Sequence, residues 1–455
     1  MKKNLFKSVF FAVIFLTSFI SVKAQERAVL FGKDFGKEYV NPNTGMIQCA
    51  SYQYSEYLRE TVPQVDEYVG GESHKSFGTE NTNEVYVIPV VVHVIHSGQA
   101  IGVNQNISDV RVLSQITVLN EDYRKKVGTP GFGSNPLGVD TEIEFCLAQT
   151  DPEGNPTNGI NRVNLDMTWH FLNVEGTLKP QTQWDPTKYF NIWVCEFGYH
   201  SNPNYDLEGV LGYAQFPSNS GLAGIPSTGN ANTDGVIIDW RCFGRNIEAP
   251  GTYFTGYNRG RTTTHEIGHA FGLRHIWGDN TSCTVNTADS LQDYCPDTPP
   301  HSDMNYSCSA TWQSTCTGYT PMPENYMDYS PDLCLNTFTP NQTTRMRTTL
   351  DFAMRRASLK TSDVCSPPAS TDKFGLGMIS LYPNPASDVL NLVMPDNYEL
   401  SGNITIYNTV GQTIYSASVS DTNMYSIDVS GFAKGVYLVK INKENQSKTI
   451  QFIKK

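Results

Sequence analysis

Three histidines at fixed spacing constrain this chain more than any other feature of its sequence. His265 and His269 are four residues apart, so on a helix their side chains project from the same face. His275 follows six residues later, where a continuing helix could not return it to that face. Gly272 lies between them and permits a sharp turn with positive φ. The spacing therefore predicts a glycine-broken helix that gathers three imidazoles at one point.

Three neutral imidazoles are a suitable ligand set for Zn²⁺ and leave its fourth position open to water. Glu266 stands beside the first histidine, where it can accept a proton from that water. A surface helix with ordinary histidines is the alternative, but Gly272 and His275 at fixed offsets make a chance match improbable. The pattern predicts a hydrolytic zinc centre with His265, His269 and His275 as ligands and Glu266 as general base.

A second segment, Asn325–Tyr329, lies about fifty residues downstream. Met327 in a tight turn there can form an apolar floor beneath the imidazoles. Tyr329 can donate its hydroxyl to the oxyanion of a tetrahedral intermediate. Alone, Met327 would be an ordinary core residue, but beside the histidine string it is a candidate for the methionine turn that accompanies such strings.

These segments together resemble the pappalysin branch of the metzincin peptidases. The resemblance covers roughly residues 85–360. It implies a metzincin catalytic domain of class α/β (α+β), with two subdomains around a zinc cleft. It also implies an endopeptidase that acts on protein or peptide substrates. The matching segments are Ile88–His93, the histidine string, Trp277–Asp279, Asp297–Pro299 and Asn325–Tyr329.

The resemblance implies roles for residues that spacing alone does not assign. Asp332 matches an acidic position that lines the pocket for the residue after the scissile bond, so cleavage before Arg, or Lys, is expected. A solvated loop carboxylate is the alternative there. Asp293, Asp297 and Thr298 match a structural Ca²⁺ site, and ordinary turn chemistry is the alternative.

Ten cysteines in an exported chain favour disulfides. By the resemblance, Cys283–Cys316 and Cys308–Cys334 form two of them, although Cys295 in the same loop leaves that pairing open. The sequence assigns no partners to Cys146, Cys195, Cys242 and Cys365.

Cys49 lies apart from the other cysteines, ahead of the expected catalytic domain. The resemblance implies a zymogen switch in which its thiolate fills the fourth zinc position and displaces water. A helix-like acidic run over residues 54–60 follows it, as in related pro-segments, but Ala50 stands where glycine is usual. The alternative for Cys49 is a disulfide or a bystander thiol.

The first 24 residues have the composition of a targeting segment. Lys2, Lys3 and Lys7 precede an apolar run over residues 8–22, which is followed by small residues near Ala24. This order is typical of a cleaved secretory signal peptide, and the run is short for a membrane anchor. We therefore expect residues 1–24 to be removed on export, leaving a mature chain without a transmembrane span.

Residues 25–84 are polar and weakly periodic, so we interpret them as a pro-segment. The run Val85–Ile95 is nearly continuous in β-branched residues and predicts a buried strand, although Pro89 favours an edge or a bulge. Strand and helix patterns that follow predict a catalytic domain over residues 85–362.

A helix is predicted after Ser108 or Asp109, because apolar residues recur at helical spacing through Tyr123. Thr262, Thr263 or Thr264 is expected to cap or open the histidine-bearing helix. Further strands are predicted at residues 142–148, 190–195 and 235–238.

The C-terminal part of the chain forms a different module. Residues 363–378 have the composition of a linker, and short alternating runs over residues 379–455 predict a small all-β sandwich. Leu381–Leu392, Gly435–Ile441 and the terminal Lys454–Lys455 resemble the type IX secretion sorting domain. The resemblance implies the type IX machinery as a partner and passage through the periplasm to the outer-membrane surface or medium. A generic sandwich that binds carbohydrate is the alternative.

Charge sets a further limit on function. Removal of residues 1–24, which carry four lysines and no acids, takes the net charge from −12 to about −16. Such a chain should repel nucleic acid and anionic membranes. We therefore expect a secreted zinc metalloendopeptidase made as a zymogen. A non-catalytic zinc-containing surface adhesin or a glycan-binding protein is the alternative, against which the presence of Glu266 argues.

Overall fold

The computed structural model describes residues 29–34, 39–62, 84–225, 228–279, 283, 293–308, 316, 318–367, 379–394, 400–443 and 446–455. The signal peptide predicted for residues 1–24 lies outside them. Within the described ranges, no helix has the length and apolarity that crossing a bilayer requires. Two separate hydrophobic cores organise these residues, one between Leu30 and Leu359 and one between Ile379 and Phe452.

The first core is enclosed by a mixed sheet and the helices around it. A π-helical turn covers Val174–Leu178, and short 3₁₀ turns cover Pro203–Tyr205, Ala231–Thr233, Trp240–Cys242 and Ser358–Thr361. The strands are β1 (Val29–Leu30), β2 (Lys33–Asp34), β3 (Tyr86–His96), β4 (Ile143–Leu147), β5 (Ile160–Asn164), β6 (Phe190–Cys195), β7 (Gly212–Ala214) and β8 (Val236–Asp239). The helices are α1 (Ser51–Thr61), α2 (Asp109–Tyr123), α3 (Phe171–Asn173), α4 (Lys179–Thr182), α5 (Arg261–Ala270), α6 (Pro340–Phe352) and α7 (Met354–Ala357).

The strand predicted from residue 85 is β3, and it lies inside a six-stranded sheet rather than at its edge. The order is β4-β3-β6-β8-β7, with β5 also paired to β3, and only β7 runs antiparallel to its neighbour. The edge or bulge expected from Pro89 is therefore wrong. On the other side β6 pairs with β3 only from Val90 onward, so the N–H that proline lacks falls where that side of β3 is still unpaired.

The helix predicted after Ser108 is confirmed as α2. The Ser108 hydroxyl accepts a hydrogen bond from the Arg111 amide at 3.3 Å, which caps the helix. The apolar positions at helical spacing, Val112, Ile116 and Leu119 among them, are buried in the core. One face of α2 therefore packs on the sheet and on α5.

The histidine-bearing helix α5 begins differently from the expectation. It follows Gly260, whose φ is +79°, and has no side-chain cap, so the predicted threonine cap is wrong. The threonine hydroxyls face α2 instead. Thr264 donates to Asp122 at 2.8 Å, and Thr263 donates to Gln115 at 3.0 Å.

Residues 29–62 are more ordered than their weak periodicity indicated. Their apolar side chains enter the same core as the sheet, so the packed unit begins well before residue 85. These apolar residues show no helical or strand periodicity in the sequence, because the rest of the unit supplies the surface that buries them. The buried members are Leu30, Phe31, Tyr39, Ile47, Cys49, Ala50, Tyr54 and Leu58.

The start of the expected linker belongs to the first unit. Val364 is buried with Val91, Ala148 and Tyr189, and a disulfide joins Cys146 to Cys365. The boundary expected at residue 363 is therefore wrong by about four residues, because a linker-like composition does not reveal a covalent bond. Residues 368–378 lie outside the described part of the chain.

The C-terminal module is antiparallel throughout its described strands. One sheet has the order β13-β10-β9 and the other β12-β11-β14-β15. Apolar side chains from both sheets share one core, as the predicted sandwich requires. The strands are β9 (Ser380–Tyr382), β10 (Val389–Val393), β11 (Leu400–Asn408), β12 (Thr413–Thr422), β13 (Met424–Asp428), β14 (Gly435–Lys443) and β15 (Gln446–Lys454).

Candidate active site

The structure brings the three histidines together at the end of α5. His265 and His269 lie on successive turns of the helix, which ends at Ala270. Gly272 follows with φ +92°, a left-handed conformation that turns the chain back toward the helix. His275 then returns, and the Nε2 atom of His269 lies 3.1 Å from the Nε2 atoms of both His265 and His275.

The outer nitrogens of the three rings define their protonation. Nδ1 of His265 lies 2.7 Å from the Tyr326 carbonyl oxygen, and Nδ1 of His269 lies 2.8 Å from the Leu273 carbonyl oxygen. Nδ1 of His275 contacts the Asp279 carboxylate. Each of these oxygens accepts a hydrogen bond, so each Nδ1 carries a proton and each ring directs its Nε2 atom inward.

This donor set fits a metal cation. The Nε2 lone pair of His269 lies 3.1 Å from those of His265 and His275, and such lone pairs repel one another unless a positive charge lies between them. Tetrahedral zinc bonds to nitrogen at about 2.0–2.1 Å, which places its ligand atoms about 3.3 Å apart. Burial, followed by the neighbouring His275, lowers the pKa of His265 to about 3, so this ring stays neutral and able to coordinate. Burial and both neighbouring imidazoles also lower the pKa of His269.

Met327 lies against α5 at Gly268, between the two helical histidines. A Cβ atom on Gly268 would lie 2.5 Å from the Met327 sulfur, so only glycine between the two helical histidines admits this side chain. Met327 is completely buried, and its carbonyl oxygen accepts a hydrogen bond from the Ile276 amide at 3.5 Å. The predicted apolar floor and the turn that returns His275 are therefore in direct contact.

Cys49 lies at the same point as the histidines. Its Sγ atom and one nitrogen from each of His265, His269 and His275 lie within 4.8 Å of one another, and all four side chains are buried. Among the histidine, cysteine and acidic side chains of the described residues, these four could together hold a metal ion. The segment that carries Cys49 therefore occupies the open side of the histidine cluster.

Backbone pairing fixes that segment along the sheet edge. The Leu211 amide donates to the Ile47 carbonyl at 2.9 Å, and the Ala50 amide donates to the Gly212 carbonyl at 3.1 Å. The bridge between Ile47 and Val210 is parallel. Residues 47–50 thus add a short parallel strand beside β7, the edge strand nearest to α5.

Glu266 is engaged by the same segment. Its Oε2 accepts a hydrogen bond from the Ser51 hydroxyl at 2.6 Å and lies 3.4 Å from the Cys49 sulfur. Its Oε1 has no hydrogen-bond partner among the described residues. Burial raises the pKa of Glu266 to about 8, although the bonds from Ser51 and Cys49 favour the ionised form. Sequence reasoning missed Ser51, and its only signal was its position two residues after Cys49.

Tyr329 also contacts the Cys49 segment. Its hydroxyl donates to the Cys49 carbonyl oxygen at 3.2 Å, and its ring centroid lies 5.0 Å from that of His275. The side chain is fully buried. A tyrosine hydroxyl that donates to a peptide carbonyl beside the histidine cluster can donate equally to another carbonyl in that place.

Asp332 is a buried carboxylate with one free oxygen. Its Oδ2 accepts hydrogen bonds from the amides of Arg259 and Arg261 at 2.7 and 3.4 Å. Its Oδ1 is buried and has no hydrogen-bond partner within the described chain. Burial raises the pKa of Asp332 to about 6, against the lowering effect of these amides and the Arg261 charge. The alternative of a solvated loop carboxylate is therefore wrong.

The residues expected to bind calcium are bonded to protein groups. Thr298 donates to Asp293 at 2.6 Å, whereas Asp297 accepts from Thr339 and from the Asn341 amide, both at 2.7 Å, at the start of α6. The structure thus joins Asp293 and Thr298 but directs Asp297 toward the helix. Calcium at these residues stays a prediction.

Disulfides join Cys283 to Cys316 and Cys308 to Cys334, the two pairs that the resemblance implied. Cys295, which left that pairing open, is buried and takes part in no disulfide among the described residues. Cys195 and Cys242 are likewise buried thiols in the described structure.

Two family models match the chain. Residues 177–351 match the family described as pregnancy-associated plasma protein-A, a peptidase family. Residues 380–455 match the secretion system C-terminal sorting domain. An extracellular metalloprotease of Arthroderma otae is 30% identical over 278 residues, which cover 60% of this chain and 83% of the relative. One of Colletotrichum graminicola is 31% identical, covering 57% and 74%.

Solved structures of peptidases are also similar to this chain. A structure of mirolysin in complex with a compound is 36% identical and covers 62% of this chain and all of its own, with a TM-score of 0.51. A promirolysin mutant of Tannerella forsythia is 36% identical and covers 62% of this chain and 85% of its own, with a TM-score of 0.50.

Proposed function

We propose a specific activity for this chain, which belongs to the pregnancy-associated plasma protein-A family of metallopeptidases. The chain is an exported metalloendopeptidase that hydrolyses peptide bonds, and its C-terminal module is a secretion sorting domain. The finer proposal is a zinc-dependent enzyme, made as a zymogen, that cleaves before arginine or lysine. The convergence of three Nε2 lone pairs beside Glu266 is the observation that carries it.

His265, His269 and His275 would hold the zinc ion. Zinc bound there supplies a Lewis acid for the scissile carbonyl and lowers the pKa of a water molecule. The hydrogen bonds at the three Nδ1 atoms keep the rings in the tautomer that coordinates through Nε2. The chain's own contribution at this stage is thus a preorganised, neutral and buried ligand set.

Glu266 and Tyr329 would perform the proton transfer and the charge stabilisation. Glu266 accepts a proton from the attacking water and transfers it to the leaving amine, and a raised pKa suits a group with both roles. Tyr329 donates its hydroxyl to the carbonyl oxygen as negative charge develops there. Its present hydrogen bond to the Cys49 carbonyl supports this assignment.

The edge of the sheet and Asp332 would define the substrate. β7 presents free backbone groups once residues 47–50 leave, so an extended peptide can pair with it. The unpartnered Oδ1 of Asp332 is a suitable acceptor for a guanidinium, because a buried carboxylate gains most from a charged donor. These two features support cleavage before arginine or lysine.

Latency would come from residues 47–51. Cys49 directs its sulfur to the histidine cluster, where a thiolate is a good zinc ligand. Ser51 occupies Glu266, and the Cys49 carbonyl occupies Tyr329. Three groups of the proposed catalytic machinery are therefore engaged by one segment, and its removal by proteolysis would release all of them.

A peptide assay of Glu266→Gln against the wild type tests the activity. The processed proteins are incubated with a fluorogenic peptide that contains one arginine, and we expect the substitution to reduce kcat at least about 100-fold. Glu248→Gln, which alters a carboxylate paired with Arg245 away from the histidines, is the control and should keep full activity. Equal activity of wild type and Glu266→Gln would refute the proposed mechanism. A wild type without any activity would favour the non-catalytic adhesin instead.

A further inference from the structure

The three histidines differ in what orients them. His265 and His269 are held by backbone carbonyl oxygens, whereas His275 is held by a side chain, the carboxylate of Asp279. His275 is also the one histidine outside α5, so no helical hydrogen bonds fix its backbone. Its ring therefore depends more than the other two on a side-chain contact.

The backbone after His275 is shaped to make that contact. The Gly278 amide donates to the His275 carbonyl at 2.8 Å, which closes a tight turn. Gly278 and Asp279 follow with φ of +67° and +59°. A left-handed conformation is costly for most residues, but Asp and Asn adopt it more readily. The turn returns the carboxylate to the ring four residues earlier.

Arg274 holds the carboxylate from its other side. Its Nε atom lies 3.4 Å from Asp279 Oδ2, and its NH2 group donates to the Gly278 carbonyl at 2.8 Å. The Asp279 side chain is fully buried, so an arginine partner offsets part of the cost of its negative charge. The contacts thus form a continuous chain from Arg274 through Asp279 to His275.

We propose that Asp279 is the positioning residue for the third metal ligand and that Arg274 acts through it. The inference rests on the proposed function, because it takes the three histidines as the metal site. A carboxylate bonded to the outer nitrogen of a ligating histidine fixes the ring and increases its basicity. Loss of such a partner typically weakens metal binding about 10- to 100-fold.

Zinc affinity of the full chain tests the proposal directly. The protein is stripped of metal and titrated with zinc against a fluorescent chelator. Asp279→Asn is the informative substitution, because asparagine tolerates the left-handed backbone and removes only the charge. We expect its dissociation constant for zinc to rise about 10- to 100-fold. Cys49 is unchanged in every variant, so its own contribution to binding cancels.

Asp239→Asn is the matched control. Asp239 is likewise a fully buried carboxylate, bonded to the Phe197 amide and paired with Arg241, and these partners lie outside the histidine cluster. Its replacement should leave the zinc dissociation constant within about twofold of the wild-type value, whatever it does to stability. Arg274→Gln should weaken binding less than Asp279→Asn, and the double variant should match Asp279→Asn alone.

A second measurement keeps the proposal testable if a variant folds poorly without metal. Cobalt substituted for zinc gives visible absorption bands that depend on ligand geometry, and these bands should shift in Asp279→Asn but not in Asp239→Asn. The inference would be overturned if Asp279→Asn left the zinc affinity and the cobalt bands unchanged and only lowered the thermal midpoint of the metal-free protein. Asp279 would then have a purely structural role. A wild type that binds no zinc would overturn the proposed function instead.

Discussion

Three buried carboxylates share one property. Glu266, Asp328 and Asp332 each have one oxygen bonded to protein groups and one oxygen without a hydrogen-bond partner in the described chain. A buried unsatisfied polar atom costs roughly 1–3 kcal/mol, and more when it is charged. Such atoms can be retained where another molecule supplies the missing partner, and we predict that substrate or water meets the free oxygens of Glu266 and Asp332.

Replacement of Asp332 by asparagine should reduce substrate discrimination. A hydrogen bond to a charged group contributes about 1.5–3 kcal/mol, so kcat/KM for an arginine peptide should fall about 10- to 100-fold. The same peptide with citrulline, which is neutral and similar in shape, should be cleaved equally by both proteins. The comparison of the two peptides checks this, and a variant that still prefers arginine would exclude Asp332 as the selecting residue.

Removal of the Tyr329 hydroxyl should affect the chemical step. Loss of one oxyanion donor typically costs about 100- to 1,000-fold in kcat, so Tyr329→Phe should lower kcat by that factor with little change in KM. Tyr189→Phe removes a hydroxyl that donates to Thr150 far from the histidines and serves as the control. Steady-state kinetics on one peptide decides between this role and a purely packing role, which would leave kcat near the wild-type value.

Single elements determine how the site is assembled. α5 presents two histidines, the turn at Gly272 supplies the third, and Met327 packs against α5 at Gly268. Residues 47–50, which pair along the sheet edge beside β7, then cover the three histidines. Each element is short, so one altered backbone conformation displaces a group by several ångströms.

The turn at Gly272 should not tolerate a side chain. A Cβ atom there would meet Thr349 Oγ1 at 2.6 Å and Leu222 Cδ1 at 2.7 Å, in addition to the cost of φ +92°. Gly272→Ala should therefore lower the free energy of unfolding by roughly 1–3 kcal/mol or more and abolish zinc binding. Gly154→Ala, where φ is +82° and no atom lies within 4 Å, isolates the conformational cost. Urea unfolding and zinc titration of both variants check the difference.

The segment of residues 47–51 should bind less tightly over the histidine cluster without the Ser51 hydroxyl. The bond from Ser51 to Glu266 involves a charged acceptor, so Ser51→Ala should raise the residual activity of the uncleaved protein about 10- to 100-fold. Ser55→Ala on the same helix removes only a hydroxyl bonded to the Tyr52 carbonyl and should have no effect. Activity on a small peptide before any processing is the measurement, and equal activity of both variants would contradict the role of Ser51.

At the scale of the whole molecule, two separate cores divide the described residues into two units, which we predict to be independently stable. The disulfide between Cys146 and Cys365 ties the end of the first unit to β4 just before the C-terminal module begins. A cut after residue 367 would therefore leave the first unit and its covalent closure intact.

Deletion of residues 368–455 should preserve the peptidase and abolish its export. Because the first core draws no residues from the module, the peptidase activity of the truncated protein should equal that of the full chain, whereas loss of the contact between α2 and β9 should lower its thermal midpoint slightly. Export from the native type of host should be lost, since the sorting domain is removed. Thermal unfolding, a peptide assay and analysis of the culture medium check the three points. A truncated protein that does not fold would contradict the independence of the two units.

Local spacing alone established the elements whose geometry repeats along a helix or strand. Periodicity predicted the shared face of His265 and His269, the start of α2 after Ser108 and most strands. The conformational freedom of glycine predicted the turn at Gly272. The composition and order of short alternating runs likewise indicated the antiparallel C-terminal module. Such features depend on neighbours within a few residues, which a linear pattern contains.

Tertiary packing decided the rest. The approach of Cys49 and Ser51 to Glu266 joins residues more than two hundred positions apart, as does the disulfide between Cys146 and Cys365. The free oxygen of Asp332 became visible only when its surroundings were known. These contacts arise because one core buries side chains from distant segments together, and no short stretch of sequence encodes which distant surface will meet it.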